Sequence, residues 1–186
     1  MPNNDDYIGY PKSLFGNAGC KRSEADFILG YLPQGGSMLE IGTYHGFTIG
    51  YMATERPDAK FVSVDPFPQK RLDIKKDEYP IGNVKLWEQN KRTNNELFIG
   101  DIIQFHLANK GAEFDVVFVD GNHYHDAVMI DLENSIHLTK NDGVIAVHDY
   151  GKIAHDDVDE AVNEFVANTE WHIIGMKESV VILKKR

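Results

Sequence analysis

The sequence predicts an α/β fold, a doubly wound and mostly parallel sheet of seven strands in which the last strand is antiparallel. Short runs rich in Val, Ile, Leu and Phe recur along the chain, and their near-continuous apolar character is typical of strands buried on both faces. Amphipathic stretches separate these runs, and strands that alternate with helices indicate right-handed βαβ units. Two further runs near the C-terminus are only a few residues apart, which is the spacing of an antiparallel hairpin.

Each strand is predicted from one apolar run bounded by polar residues or glycine. The two C-terminal runs are Trp171–Met176 and Ser179–Leu183. The parallel strands are predicted at Ser37–Ile41, Lys60–Asp65, Glu96–Gly100, Phe114–Asp120 and Gly143–His148.

Apolar residues at helical spacing predict the helices between the strands. Ser23 is expected to cap the first helix, which Pro33 and two glycines should end. Asp156 and Asp157 are candidate caps of the last helix. The stretch 69–95 is polar and gives no clear division. The helical stretches are Ser23–Leu32, Phe47–Thr54, Asp101–Lys110, Tyr124–Ile136 and Val158–Val166.

Length and composition restrict the class of protein. The chain has 186 residues, 42% of them hydrophobic, which suits a single domain with a sizeable core. We expect residues 23–186 to form this domain and residues 1–22 to form a segment that covers the site. A net charge of −10 argues against binding to nucleic acid or to an acidic membrane surface. A single cysteine and the absence of a signal-peptide pattern favour a cytoplasmic protein.

Every predicted parallel strand ends on a carboxylate or has one within two residues of its end, all at one edge of the sheet. In open α/β sheets this edge binds ligands, at the point where the strand order reverses. Because isolated carboxylates are costly to bury, their recurrence there indicates a site. They are Glu40, Asp65, Asp101, Asp120 and Asp149.

The residue pattern fits an adenosine ligand with a charged tail. Gly42 and Gly46 allow a close approach of the backbone, and the following helix offers free N–H groups. Asp65 stands about twenty residues beyond the loop, where it can bind two ribose hydroxyls. Asp101 can accept a hydrogen bond from an adenine amino group, cap the next helix, or do both. The pyrophosphate-binding pattern G-x-G-x-x-G is absent, which favours a ligand without a pyrophosphate.

These motifs resemble those of class I S-adenosylmethionine-dependent methyltransferases over nearly the whole chain from residue 23. "LEIGTYHG" resembles the family's first motif, "FVSVD" the second and "FIGD" the third. "VDGNHYHDAVMIDL" followed by "VHDY" is similar to a subgroup of small-molecule O-methyltransferases. The resemblance implies a Rossmann-like fold, S-adenosylmethionine as cofactor and a small-molecule acceptor.

The resemblance also implies a role for each motif residue. Asp120, His123, His148 and Asp149 would face the methyl group and the substrate. The residues implied in holding the cofactor are Glu40, Gly42, Thr43, Gly46, Asp65, Asp101 and Asp120.

A hydroxyl acceptor must lose its proton, and the sequence leaves two ways open. A histidine can act as base, and His148 is favoured slightly over His123 because it ends a strand. Alternatively, Asp120 and Asp149 could bind Mg²⁺, which would acidify the hydroxyl. The presence of His148 where the metal-dependent relatives have a carboxylate counts against the metal.

Other functions compete with this interpretation. One alternative is a cofactor-binding protein of the same fold without turnover. A nicotinamide-dependent oxidoreductase and an aminopropyl transferase are less well supported, because the sequence lacks the pyrophosphate pattern and a distinct acidic set for a polyamine. A homodimer is expected from the resemblance alone. Lys70, Arg71, Lys75 and Lys76 suggest either an acidic substrate or a solvated loop.

Overall fold

The computed structural model describes residue 8, residues 19–67 and residues 84–186. In this part of the chain one sheet contains seven strands. They are β1 (Ser37–Ile41), β2 (Lys60–Asp65), β3 (Asn95–Ile99), β4 (Phe114–Val119), β5 (Thr139–Val147), β6 (Trp171–Lys177) and β7 (Val180–Lys185).

Helices cover both faces of the sheet. A short 3₁₀ helix, Ile153–His155, precedes the last of them. Within the described residues no helix has both the length and the apolar character needed to cross a membrane. The α-helices are α1 (Arg22–Leu29), α2 (Phe47–Glu55), α3 (Val84–Asn90), α4 (Ile102–Ala108), α5 (His125–Leu138) and α6 (Asp156–Asn168).

The strand order is β3-β2-β1-β4-β5-β7-β6. Strands β1 to β5 pair in parallel, while β7 runs antiparallel to both β5 and β6. This arrangement confirms the predicted doubly wound sheet with an antiparallel last strand. The chain winds outward from β1 in one direction and from β4 in the other, so the β1–β4 junction is the point where ligands bind in such sheets.

Two apolar layers hold the sheet between the helices, because successive residues of a strand face opposite sides. Leu39 and Ile41 of β1 belong to the layer under α4, α5 and α6. Met38 belongs to the layer under α1 and α2, together with Phe61 of β2. The alternation therefore places Glu40, which is only 1% exposed, on the α1 and α2 side.

Two helix starts differ from the predictions. Helix α1 begins at Arg22, so Ser23 lies in its first turn and donates its hydroxyl to Glu178 instead of capping the helix. His155 occupies the cap position of α6, and the predicted caps Asp156 and Asp157 lie in its first turn. Carboxylates in a first turn still stabilise a helix through its dipole.

Strand β5 begins at Thr139, four residues before the predicted start. Phe114 pairs with Thr139, and the regular register resumes only at Val116 and Val144. Residues 139–143 are therefore an irregular extension of the predicted strand.

Several expectations concern residues outside the described ranges. The four basic residues of the 68–83 stretch and most of the proposed covering segment 1–22 fall there. Within that segment Ile8 is buried, and its N–H donates to the carbonyl of Cys20 at 3.2 Å.

Candidate active site

The predicted site residues meet at the carboxyl ends of the central strands. Ladder hydrogen bonds continue past the ends of β1, β4 and β5, since the N–H groups of Gly42, Asp120 and His148 donate to carbonyls of the neighbouring strands at 2.9–3.0 Å. These three residues therefore lie side by side. Asp65 ends β2 on the other side of β1.

The two glycines of the loop after β1 are required by packing within the protein. Gly42 has φ +87°, and a Cβ there would lie 2.4 Å from the carbonyl oxygen of Asp120 and 2.4 Å from Cα of Gly121. Gly46 has φ +74°, and its Cβ would lie 2.6 Å from the indole ring of Trp87. From the sequence, both glycines were expected to let a ligand approach the backbone closely. That role stays a prediction, and the structure adds that a side chain at either position would meet protein atoms.

The Asp65 carboxylate binds the backbone of two loops. The N–H of Tyr44, in the loop after β1, donates to one carboxylate oxygen at 2.8 Å. The N–H of Phe67 donates to the other at 2.7 Å. Each oxygen keeps a second lone pair, so the group can still accept hydrogen bonds from hydroxyls. The predicted neighbourhood of Asp65 and the glycine loop is thus present.

Glu40 is a buried carboxyl one residue before the end of β1. The hydroxyl of Ser63 on β2 donates to it at 3.0 Å. Burial raises the pKa of Glu40 to about 8, and the charges of Asp120 and Asp65 add to the rise against the opposing hydroxyls of Thr43 and Ser63. The carboxyl is therefore mostly protonated at neutral pH, and a cation placed beside it would release that proton.

Two buried polar atoms next to the glycine loop lack partners. The Thr43 hydroxyl lies close to Glu40 but makes no hydrogen bond of normal geometry, and the indole N–H of Trp87 makes none either. Buried polar groups are normally satisfied, so unpaired ones indicate a polar group that binds there. Together with the Asp65 carboxylate, they fit the hydroxyls and charged amino-acid end of S-adenosylmethionine.

Asp101 is exposed and caps helix α4. Its carboxylate accepts the N–H of Gln104 at 2.8 Å, and the Gln104 side chain accepts the N–H of Asp101 at 3.0 Å. This reciprocal pair is a capping box. The capping role that the sequence left open is present, while contact with an adenine stays a prediction.

His148 is 4% exposed and is held between carboxylates. Its Nδ1 lies 2.9 Å from Asp120 and 3.4 Å from Asp149, and its Nε2 lies 3.4 Å from Glu24. Burial opposes protonation, but the charge and hydrogen bond of Asp120, and then the bonds of Asp149 and Glu24, raise the pKa of His148 well above its usual value. Both ring nitrogens thus face carboxylate oxygens, an arrangement that favours the imidazolium form.

Glu24 was not identified from the sequence as part of the site. Its carboxylate accepts the N–H and hydroxyl of Ser179 at 2.9 and 2.6 Å and the N–H of Lys21 at 2.8 Å. Burial would raise the pKa of Glu24, but the hydrogen bonds from His148, Ser179 and Lys21 lower it to about 2. Its partner His148 is 124 residues away in the chain, so no local pattern could reveal the pair.

Asp149 connects the buried cluster to solvent. It has φ +64°, rare for a residue other than glycine, and it is 6% exposed. One carboxylate oxygen lies 2.7 Å from Nε2 of His123, and the other binds Lys152. Burial would raise the pKa of Asp149, but the bonds from His123, His148 and Lys152 hold it well below its usual value.

His123 and His155 form the exposed rim of this cluster. The His123 side chain is 42% exposed, and its ring lies with its centroid 4.0 Å from that of His155, tilted by 31°. Burial and the neighbouring His123 lower the pKa of His155. The sequence did not assign His155 to the site, and the fold brings this residue beside His123.

Comparisons with known proteins agree with this architecture. A family described as a methyltransferase domain matches residues 39–150, well over half of the chain. No curated protein matches the sequence. A cofactor-bound structure of Rv0187 from MTB has 14% identity and a TM-score of 0.69, over 93% of this chain and 84% of that one.

Two further solved structures share the fold. The O-methyltransferase TomG from Streptomyces achromogenes, in complex with SAM, has 15% identity and a TM-score of 0.63, over 90% of this chain and 81% of that one. CalS11, a TDP-rhamnose 3'-O-methyltransferase, has 14% identity and a TM-score of 0.60, over 86% and 76%. The family match, the doubly wound sheet and the site at its switch point lead to one conclusion: the chain belongs to the methyltransferase domain family, as a class I S-adenosylmethionine-dependent methyltransferase.

Proposed function

We propose that the protein transfers a methyl group from S-adenosylmethionine to a hydroxyl of a small molecule. The observation that carries the proposal is the pairing of His123 with Asp149 at the strand ends, next to the loop expected to hold the cofactor. A partly exposed histidine oriented by a buried carboxylate is suited to removing a proton from an acceptor. Two of the structural neighbours are described as O-methyltransferases, which supports a hydroxyl acceptor.

The cofactor would be held by groups around the loop after β1. Asp65 would accept hydrogen bonds from the ribose hydroxyls, and Glu40 would lie near the amino end of the methionine part. Thr43 would gain the partner it lacks. Gly42 and Gly46 keep the loop in shape, and Asp101 would accept from the adenine amino group. When bound, S-adenosylmethionine supplies an activated methyl group on a sulfonium ion.

Alignment is the main task of the protein in such a transfer. The acceptor oxygen must approach the methyl group in line with the bond that breaks, and water must be kept away. Positive charge disappears during the reaction, so no strong charge needs to be provided in the transition state. The acceptor hydroxyl must lose its proton, and this step needs a base.

His123 is better placed than His148 to act as that base. The sequence favoured His148 slightly, but both ring nitrogens of His148 face carboxylates and the ring is buried. His123 donates one N–H to Asp149 and keeps its other nitrogen for a proton from the acceptor. We assign His148 a positioning role, because its charge holds Asp120 and Asp149 in place.

A Mg²⁺ ion bound by Asp120 and Asp149 stays a prediction, and the contacts of His148 with both carboxylates count against it. The Nδ1 atom of His148 lies 2.9 Å from a carboxylate oxygen of Asp120 and 3.4 Å from one of Asp149, so it would compete with an ion for these oxygens. Mg²⁺ also requires a near-octahedral set of oxygen ligands. The sequence-derived magnesium site is therefore not part of the proposed reaction.

Three narrower statements stay predictions. The acidic net charge favours a small molecule over a nucleic acid, and it also counts against an acidic membrane surface. A homodimer is expected from the resemblance, and a cytoplasmic location from the cysteine content. The main alternative is a protein that binds the cofactor without turnover.

A direct test follows formation of S-adenosylhomocysteine while purified protein is incubated with S-adenosylmethionine and a panel of sugar and phenolic hydroxyl compounds. We expect turnover with at least one acceptor and a loss of about 100-fold or more in kcat for His123→Asn. His125→Asn is the matched control, because His125 is bound to Glu164 instead of Asp149. Full activity of His123→Asn would reject the assigned base, and cofactor binding without turnover on any acceptor would favour the non-catalytic alternative.

A further inference from the structure

Among the described residues, three clusters bring histidine, cysteine or carboxylate ligand atoms within 4.8 Å of one another. Cys20, Glu24 and His148 are all buried, and Glu24 is already occupied by hydrogen bonds from Ser179. In a second cluster, Nδ1 of His148 already contacts both carboxylates, those of Asp120 and Asp149. The third, formed by His123, Asp149 and His155, contains two partly exposed members and is open to solvent.

We propose that His123, Asp149 and His155 bind a divalent ion of the zinc class, and that this ion competes with the role of His123 as a base. Two imidazoles and one carboxylate are a ligand set that zinc and its neighbours prefer, whereas Mg²⁺ prefers oxygen atoms. Three protein ligands leave a fourth coordination position for water. The second half of the proposal depends on the proposed function, but the binding site does not.

The distances allow coordination after small side-chain movements. A tetrahedral zinc ion with ligands at about 2.1 Å requires ligand atoms about 3.4 Å apart. The contact between Nε2 of His123 and the Asp149 oxygen is 2.7 Å and would open, while the other separations, at most 4.8 Å, would close. Both histidines are at least partly exposed, so their rings have room to move.

The surrounding charges permit a cation at this position. Lys152 and the charged His148 bind the oxygen of Asp149 that faces away from His123, which leaves the second oxygen available. Asp120 and Glu24 offset these two positive charges within the cluster. Exposed carboxylates in the first turn of α6 add negative charge immediately after His155.

A bound ion would change the chemistry of His123. The ion would take the lone pair of Nε2, which leaves the ring proton on Nδ1 when the imidazole is neutral. The nitrogen that would accept the acceptor's proton is then already protonated. Zinc should therefore inhibit methyl transfer, and removing the ion should restore the base.

Calorimetric titration of the purified full chain with Zn²⁺, and separately with Mg²⁺, tests the site without any need for a substrate. We expect one Zn²⁺ per chain in the wild type and no binding of Mg²⁺ at the same concentrations. His155→Asn should weaken Zn²⁺ binding at least about tenfold, because loss of even a residue that only hydrogen-bonds to a metal ligand lowers metal affinity by about that factor. His125→Asn should bind Zn²⁺ like the wild type.

Wild-type affinity in His155→Asn, or equal loss in both variants, would overturn the site. The visible d–d bands of bound Co²⁺ provide a second readout, and their intensity and position should change in His155→Asn, which removes one of the three ligands. If methyl transfer can be measured, fractional inhibition by Zn²⁺ should be smaller in His155→Asn than in the wild type. Equal inhibition would contradict the competition, while absence of methyl transfer under all conditions would count against the proposed function and leave the binding result intact.

Discussion

Substitution of Glu40 by Gln should stabilise the cofactor-free protein at neutral pH. Glu40 is 1% exposed, and burial raises its pKa to about 8 from a usual value of 4.5. The unfolded chain therefore ionises near pH 4.5, while the folded chain holds the proton up to about pH 8. Between these values the folded state binds more protons, so stability falls as the pH rises.

The size of the effect follows from the interval between the two pKa values. At pH 7 the interval above 4.5 is 2.5 pH units, which at about 1.36 kcal/mol per unit amounts to at most about 3 kcal/mol. Gln resembles the protonated carboxyl and can still accept the hydroxyl of Ser63. Glu40→Gln should thus match the wild type near pH 4.5 and exceed its free energy of unfolding by up to about 3 kcal/mol at pH 7.

Glu24→Gln is the matched control, because a second buried glutamate should respond in the opposite direction. Hydrogen bonds lower the pKa of Glu24 to about 2, so its contribution is present above pH 4.5 and is lost as the pH falls toward 2. At pH 7 this variant should be less stable than the wild type.

Urea unfolding followed by circular dichroism, at pH 4.5 and pH 7, measures both variants. A wild type that is more stable than Glu40→Gln at pH 7 would mean that Glu40 is ionised in the folded protein, contrary to a pKa raised by burial. If both glutamine variants shift the free energy of unfolding in the same direction, the pKa values of Glu40 and Glu24 are not shifted in opposite directions.

Other predictions concern the cofactor, the base and the glycine loop. Asp65→Ala should weaken binding of S-adenosylmethionine by about one to two orders of magnitude, the scale of charge-assisted hydrogen bonds of roughly 1.5–3 kcal/mol, and unchanged affinity in calorimetry would remove Asp65 from the site. His148→Asn should lower the free energy of unfolding at neutral pH. Because the pKa of His148 is raised in the folded protein, the stabilisation by His148 is full below pH 6.5 and is lost as the pH rises through the folded pKa, so the variant should lose less stability than the wild type on the alkaline side. An unchanged pH profile of urea unfolding would show that the ring is neutral. Gly42→Ala should cost about 2 kcal/mol or more in thermal or urea unfolding, since its Cβ meets backbone at 2.4 Å. Gly111 also has a positive φ, +82°, but a Cβ there would meet open space, so Gly111→Ala should cost less stability. Equal losses in the two variants would mean that backbone strain, and not the clash of the Cβ, explains the requirement for Gly42.

The fold could be predicted from the sequence because its signals are local. Strands β1 and β2 have the bounds that their apolar runs indicate, and the short C-terminal connection predicts the hairpin. The cap of α1 could not be predicted in the same way. Ser23 has the residue type of a cap, but its hydroxyl is drawn to Glu178, which a different part of the chain brings close.

The site could be predicted in its position but not in its electrostatics. Strand ends place Asp65, Asp120 and Asp149 at one edge, and the sequence shows this directly. The raised pKa of His148 depends first on Asp120 after β4, then on Asp149 and on Glu24 from α1, and the reason for Gly42 depends on the loop after β4. Both are contacts between distant segments, so they appear only when the chain is folded.

The most direct test of the account is calorimetric titration of the purified protein with S-adenosylmethionine and S-adenosylhomocysteine, with NAD as control. We expect dissociation constants in the micromolar range for the first two and no binding of NAD. The affinity for S-adenosylmethionine should rise between pH 6 and pH 8, as Glu40 gives up its proton. Failure of the folded protein to bind either compound would contradict the assigned cofactor site.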